Sequence, residues 1–228
     1  MGNDNKLADA LKKYKKENLY IRSWEEYSKE LNTLTEKVIE YIKNKEIIID
    51  AVIPIERGGN FPGSWLAYKL NVLRIIPVQY KYFFLGETAE LRQLLGVPDN
   101  IFSKDDSPTF LLVEGNHCYG NMANVAAKDL KNKFPKCRII YAASNMDYNY
   151  QNAVEDAEIS FHGRLQNDCK ELSEEECIKN GIDPTKTILF PWESLEEEWQ
   201  TIQLKQYSFG KVEEIRKKSR LVQTIKLE

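Results

Sequence analysis

Three observations predict an α/β protein built on an open, mostly parallel, doubly wound sheet with helices on both faces. Short apolar runs at 47–55, 110–113 and 137–143 have the length of strands and no polar alternation, as expected of strands buried on both faces. Stretches of helical spacing at 24–42, 62–70 and 121–133 separate them. The resulting order (strand, helix, strand, strand, helix, strand) requires crossover connections within one layer.

Residues 6–17, with Lys12, Lys13, Lys15 and Lys16, read as a solvated leading helix. Ser23 and Glu26 form a capping-box pair ahead of a helix whose apolar stripe is Trp24, Tyr27, Leu31, Leu34, Val38, Tyr41 and Ile42. The run 47–55, interrupted only by Asp50, is the first buried strand. It opens into Glu56-Arg57-Gly58-Gly59-Asn60-Phe61, after which Pro62 suits the first position of a helix through Leu70. A second strand is expected within 72–82, kinked at Pro77. Residues 83–108 read as an irregular excursion of the kind that covers a site, with a short helix at 87–95.

Next comes Thr109–Met122. An apolar run ends in the carboxylate of Glu114, passes through a polar turn bearing glycine, and enters a helix over 121–133. A buried strand that ends at a sheet edge and hands over to a helix with free backbone N–H groups is an anion site in outline. Cys137–Ala143 is a further buried strand and Ile159–Leu165 another. Ser173 caps a short helix ending at Gly181, and Ile188–Phe190 is a short strand before Pro191-Trp192-Glu193. The organisation expected is one domain over 1–194, with a charged, helical and basic extension over 195–228.

A chain of 228 residues is long enough for a sizeable core, and 42% apolar with 29% charged residues excludes wholesale disorder. The net charge of −3 gives no overall electrostatic reason to bind nucleic acid. No run approaches about 18 uninterrupted apolar residues, so no membrane span is expected. Residues 1–6 hold no signal-peptide core, and Cys118, Cys137, Cys169 and Cys177 make no Cys-x-x-Cys pair. Reduced thiols in a cytoplasmic protein are the expectation. Dinucleotide, Walker A and Gly-x-Ser-x-Gly fingerprints are absent. His117-Cys118 reads poorly as a nucleophile with its base, because adjacent side chains point apart.

Three segments in order resemble the type I phosphoribosyltransferases, nearest to the bacterial and archaeal hypoxanthine/xanthine/guanine branch. They are Ser23–Tyr27 with its helix leading to Ile49–Gly59, the strand–loop–helix of 110–130, and Phe190-Pro191-Trp192-Glu193-Ser194. The resemblance implies transfer of ribose 5-phosphate from phosphoribosyl pyrophosphate to a purine-like base with release of pyrophosphate. It implies Mg2+ carried by the substrate, with Glu114 the one protein carboxylate near it. Glu56, Arg57, Gly58 and Gly59 would form the pyrophosphate loop, where glycines let backbone donors approach an anion and arginine adds a charged one. Glu114, Asn116, Cys118, Tyr119, Gly120, Asn121 and Met122 would form the ribose-phosphate loop. Glu114 would be the catalytic acid that holds the ribose hydroxyls. Asn145, Tyr148, Trp192 and Glu193 would meet the base, with Tyr150 a further stacking surface.

Two positions of the ribose-phosphate loop depart from the family pattern. Gly115 stands where a second acid is usual, and Met122 where a threonine hydroxyl is usual. Loss of one carboxylate beside an oxocarbenium-like centre is worth a few kcal/mol, roughly hundreds-fold in rate. Two functions therefore stand side by side: a divergent phosphoribosyltransferase, or a catalytically impaired relative. The second would bind a nucleotide or phosphoribosyl compound as a sensor, or act as a regulatory subunit. A second copy of the chain or a protein partner would suit the 195–228 extension.

Overall fold

A computed structural model describes residues 19–85, 88–103, 106–169, 171–182 and 187–195. The expected leading helix at 6–17 and the extension from 196 onward lie outside the described residues. The described residues divide into two compact units. One comprises 22–80 and 93–186; the other contains 19–21, 81–92 and the residues from 187 onward.

The larger unit carries the sheet. Its strands are β2 (Ala51–Glu56), β5 (Thr109–His117), β6 (Arg138–Asp147) and β7 (Ile159–Gln166), with parts of β3 (Val78–Leu85) and β4 (Thr88–Leu95). The order is β4-β3-β2-β5-β6-β7, and β3-β2, β2-β5, β5-β6 and β6-β7 pair in parallel. The doubly wound parallel sheet is therefore present. In the smaller unit, β1 (Leu19–Ile21) pairs in parallel with β8 (Thr187–Leu189). No helix among the described residues is long and apolar enough to cross a membrane.

Helix α1 (Trp24–Asn44) starts as its capping box dictates. Glu26 N–H donates to Ser23 Oγ at 3.2 Å, and Ser23 N–H donates to Glu26 Oε2 at 2.8 Å. Its Leu34 and Val38 join Val52, Leu66, Leu111, Val113 and Ile140 in one core cluster shared with α2 (Asn60–Lys69). Adjacent strand residues face opposite sides. Phe110, beside Leu111, accordingly meets Phe134 at the end of α3 (Asn121–Lys133), ring centroids 5.6 Å apart. Helices thus cover both faces, and β5, wholly buried except at Asn116, forms the sheet's spine. Helix α4 (Glu174–Lys179) carries its own capping box at Ser173 and Glu176 and ends before Gly181, whose φ is 66°.

Several boundaries differ from expectation. The helix expected at 87–95 is strand β4: Thr88–Leu95 joins the sheet edge, and strand pairing overrides its local helical pattern. Helix α2 begins at Asn60, so Pro62 is its third residue. The strand expected within 72–82 starts only at Val78, with Ile75 making an isolated bridge to Val52. The largest difference concerns β5, which runs four residues past Val113 to His117, and β6, which runs to Asp147. Polar residues continue both ladders because each finds a hydrogen-bond partner.

Candidate functional site

Parallel strands end at one edge, so the turns after β2 and β5 are neighbours across a single strand pairing. After β2, Glu56 is half-buried, with burial raising its carboxyl above the ordinary range, and Arg57 is exposed. The Glu56–Arg57 peptide is cis. Gly59 N–H donates to Ile55 O at 2.8 Å, and Gly63 N–H donates to Gly59 O at 2.8 Å, so the turn winds directly into α2. Gly59 cannot carry a side chain: a Cβ there would lie 2.4 Å from Val113 O and 2.7 Å from both Ile55 N and Ile55 O.

The β5 turn rests against this one. A Cβ on Gly115 would stand 2.5 Å from Gly58 O and 2.8 Å from Gly58 C. Gly115 O accepts from Ser144 Oγ at 2.6 Å. Gly115, expected from the family pattern to mark a missing acid, is thus the point where the two loops touch backbone to backbone. Glu114 and Asn116 are strand residues, and the turn between strand and helix is Cys118-Tyr119-Gly120. Gly120 is left-handed at φ 76°, and no side chain caps α3. The N–H groups of Asn121 and Met122 therefore open this helix under the positive end of its dipole.

Glu114 is 5% exposed, and its Oε2 accepts from Tyr141 Oη at 2.6 Å. His117 Nδ1 is 2.8 Å from the same hydroxyl and 3.7 Å from Glu114 Oε2, and His117 Nε2 is 3.0 Å from Tyr150 O. Burial, first, and the neighbouring carboxylate push the Tyr141 phenol well above its usual range, so it stays a donor. Asn116 spans to β7: its Oδ1 accepts from Gln166 Nε2 at 2.5 Å and its Nδ2 donates to Asp168 Oδ2 at 3.2 Å. Cys118 Sγ donates to the same Asp168 oxygen at 2.5 Å. Burial, ahead of the charge of Asp147, pushes the Cys169 thiol up to about 12, so it is a poor nucleophile at neutral pH.

Asn145 lies level with Asn116 on β5 and Arg164 on β7, fully buried, with its Oδ1 accepting from Arg22 Nη1 at 2.7 Å. Tyr148 and Tyr150 sit on the 3-10 turn that follows β6. Tyr148 Oη donates to Asn180 Oδ1 at 3.2 Å, and Tyr150 Oη to Glu171 Oε1 at 2.6 Å. The rings of Tyr119 and Tyr150 meet edge to face, 5.0 Å between centroids. Trp192 and Glu193 belong to the smaller unit, where Trp192 stacks on Phe190 at 4.8 Å and Glu193 Oε2 accepts from Phe190 N–H at 2.9 Å.

The larger unit thus brings the two loops, Asn145 and the tyrosine turn to the sheet's C-terminal edge. Sequence reasoning missed Tyr141, Ser144, Gln166 and Asp168, which secure the loop residues. Tyr141 lies inside an apolar strand pattern and gives no signal of its own. One of the two oxygens of Glu114, Oε2, is taken by Tyr141. Among the described residues no group of three or more His, Cys, Asp or Glu is placed to hold a metal.

The sequence matches no protein-family model and no curated protein. Many solved structures are similar, and three of them illustrate the range. A hypothetical protein from Neisseria gonorrhoeae with bound ppGpp has a TM-score of 0.59 at 17% identity, over 82% of this chain and 96% of that one. A purine phosphoribosyltransferase from Pyrococcus horikoshii has a TM-score of 0.55 at 18% identity, over 78% and 95%. The Helicobacter pylori xanthine-guanine-hypoxanthine phosphoribosyltransferase has a TM-score of 0.53 at 16% identity, over 80% and 99%. The similar chains are covered almost end to end, whereas 78–82% of this chain is matched. The chain has the type I phosphoribosyltransferase fold.

Proposed function

We propose that the protein binds a nucleotide or phosphoribosyl compound at the sheet's C-terminal edge and does not transfer its pentose at an enzyme's usual rate. The observation that carries this reading is the commitment of Glu114 to Tyr141 at 2.6 Å, with Gly115 beside it carrying no acid. Of the two positions that start the ribose loop, Gly115 then presents no carboxylate and Glu114 has one of its two oxygens already taken. The anion-binding parts depend less on side chains. The start of α3 offers backbone donors to a phosphate, and exposed Arg57 with Gly58 offers a charged donor beside open backbone to a second phosphate group. The Neisseria protein of similar fold holds ppGpp, a nucleotide bearing two pyrophosphate groups, which fits a site rich in backbone donors. Any Mg2+ arrives on the ligand's own phosphates.

Calorimetry with phosphoribosyl pyrophosphate, GMP and ppGpp, each with and without Mg2+, tests binding. Pyrophosphate release over a panel of purine and pyrimidine bases tests turnover. The expected result is binding of at least one of these ligands with no release. Steady release with any base restores the transferase reading; absence of all binding removes the ligand reading.

A further inference from the structure

Glu114, Tyr141 and His117 form one buried hydrogen-bonded chain that ends on a backbone carbonyl. Tyr141 Oη lies 2.6 Å from Glu114 Oε2 and 2.8 Å from His117 Nδ1, and His117 Nε2 lies 3.0 Å from Tyr150 O. The carbonyl can only accept, so Nε2 bears a proton and donates there. The Tyr141 hydroxyl then has two acceptors in reach, Glu114 Oε2 at the shorter distance and His117 Nδ1 at the longer. Turning Glu114 outward gives up the shorter of these contacts, in a low-dielectric interior where a hydrogen bond to a carboxyl group is strong.

We infer that Tyr141 is a positioning residue that keeps the Glu114 carboxyl inside the sheet, so that the site accepts its ligand without reading the sugar's 2′,3′-hydroxyl edge. The inference rests on the ligand reading above and deepens it, because it defines the ligand class. Gly115 carries no acid, and Glu114 is held in by Tyr141. A sugar with free hydroxyls, with none, or with an anionic 3′ substituent therefore meets no carboxylate from this loop's start. His117 orients the phenol, but the bond that holds Glu114 belongs to Tyr141.

The first arm of the test needs no ligand. Wild type, Tyr141→Phe and His117→Gln, each verified as folded by thermal melting, are treated with a carbodiimide and an amine. Amidation at Glu114 is then read by peptide mass spectrometry. Wild type and His117→Gln should resist, and Tyr141→Phe should label about tenfold faster, as loss of one hydrogen bond to a charged group allows. Equal labelling of wild type and Tyr141→Phe overturns the inference. So does faster labelling in both variants, which would mean general loosening.

The second arm compares GMP with 2′,3′-dideoxyguanosine monophosphate by calorimetry. Wild type should bind the two within about threefold. Tyr141→Phe should favour GMP by about tenfold as the carboxylate gains access to the diol, and Tyr141→Phe with Glu114→Gln should lose that preference. A wild-type preference for GMP of tenfold or more overturns the inference. Faster amidation of Tyr141→Phe with neither nucleotide bound by any variant supports the assignment of Tyr141 and defeats the nucleotide reading instead.

Discussion

Gly115→Ala is the most direct probe of how the two loops are joined. A methyl group there would lie 2.5 Å from Gly58 O, 2.8 Å from Gly58 C and 3.0 Å from Gly58 Cα. Ordinary contact begins near 3.4 Å, so the Gly58 peptide must retreat by most of an ångström. It cannot do so alone, because Gly59 N–H is tied to Ile55 O at 2.8 Å and Gly115 O to Ser144 Oγ at 2.6 Å. Overpacking of this sort costs about 1–3 kcal/mol. For a domain of this size that lowers the melting temperature by roughly 2–12 °C. The reciprocal change supplies the control: a Cβ on Gly58 meets only Gly115 Cα and N at 3.7 Å, so Gly58→Ala should melt within about 2 °C of wild type. Differential scanning calorimetry of the two variants decides the matter. Equal melting temperatures, or a larger loss at Gly58, would refute the backbone contact. The same geometry predicts that Gly115→Asp does not restore the missing acid to useful work, since its Cβ meets the clash before its carboxylate reaches a ligand.

Arg57→Ala should weaken binding of a doubly phosphorylated ligand about tenfold in calorimetry while leaving the melting temperature unchanged, because the side chain is exposed. Gly120→Ala should cost about 1–2 kcal/mol in urea unfolding, since φ is 76° and the added Cβ would lie 2.8 Å from His117 Cε1. Burial, helped by Lys37, lowers the His162 ring from 6.5 to about 4. The unfolded chain therefore takes up this proton first as pH falls. The neutral ring's contribution to stability is complete above about 6.5 and lost progressively down to about 4. The full shift corresponds to about 3 kcal/mol, and partial exposure reduces that to roughly 1–2 kcal/mol. His162→Gln should flatten the corresponding part of the stability–pH curve between 4 and 6.5, and an unchanged curve would show that the ring is not responsible.

The fold was legible because its signals are local. Ser23 and Glu26 declare the start of α1, and α3 runs over Asn121–Lys133 as its alanine-rich spacing implies. The buried strands stand out as β-branched runs without alternation. What failed was the equation of apolar with extended. Glu114, Asn116, Asn145 and Asp147 look like turn residues in one dimension, yet they continue β5 and β6, each with a hydrogen bond from Tyr141, Gln166, Arg22 or the N–H of Asn149. Such partners lie 22 or more residues away along the chain, except for Asn149, so no window of sequence contains them. Gly115 shows the same limit. Residue type alone reveals that an acid is absent, whereas only the fold reveals that Gly58 occupies the space.

The unexpected length of β5 has a consequence for how fast a ligand is captured. Strand pairing carries through Asn116 and His117, and α3 begins at Asn121, so only Cys118, Tyr119 and Gly120 lie between two hydrogen-bonded elements. A three-residue span anchored at both ends has little conformational entropy left to lose when a phosphate arrives. Association should then be set by diffusion and the charge of the incoming anion, giving on-rates that fall with ionic strength and show no separate loop-closing phase in stopped-flow traces.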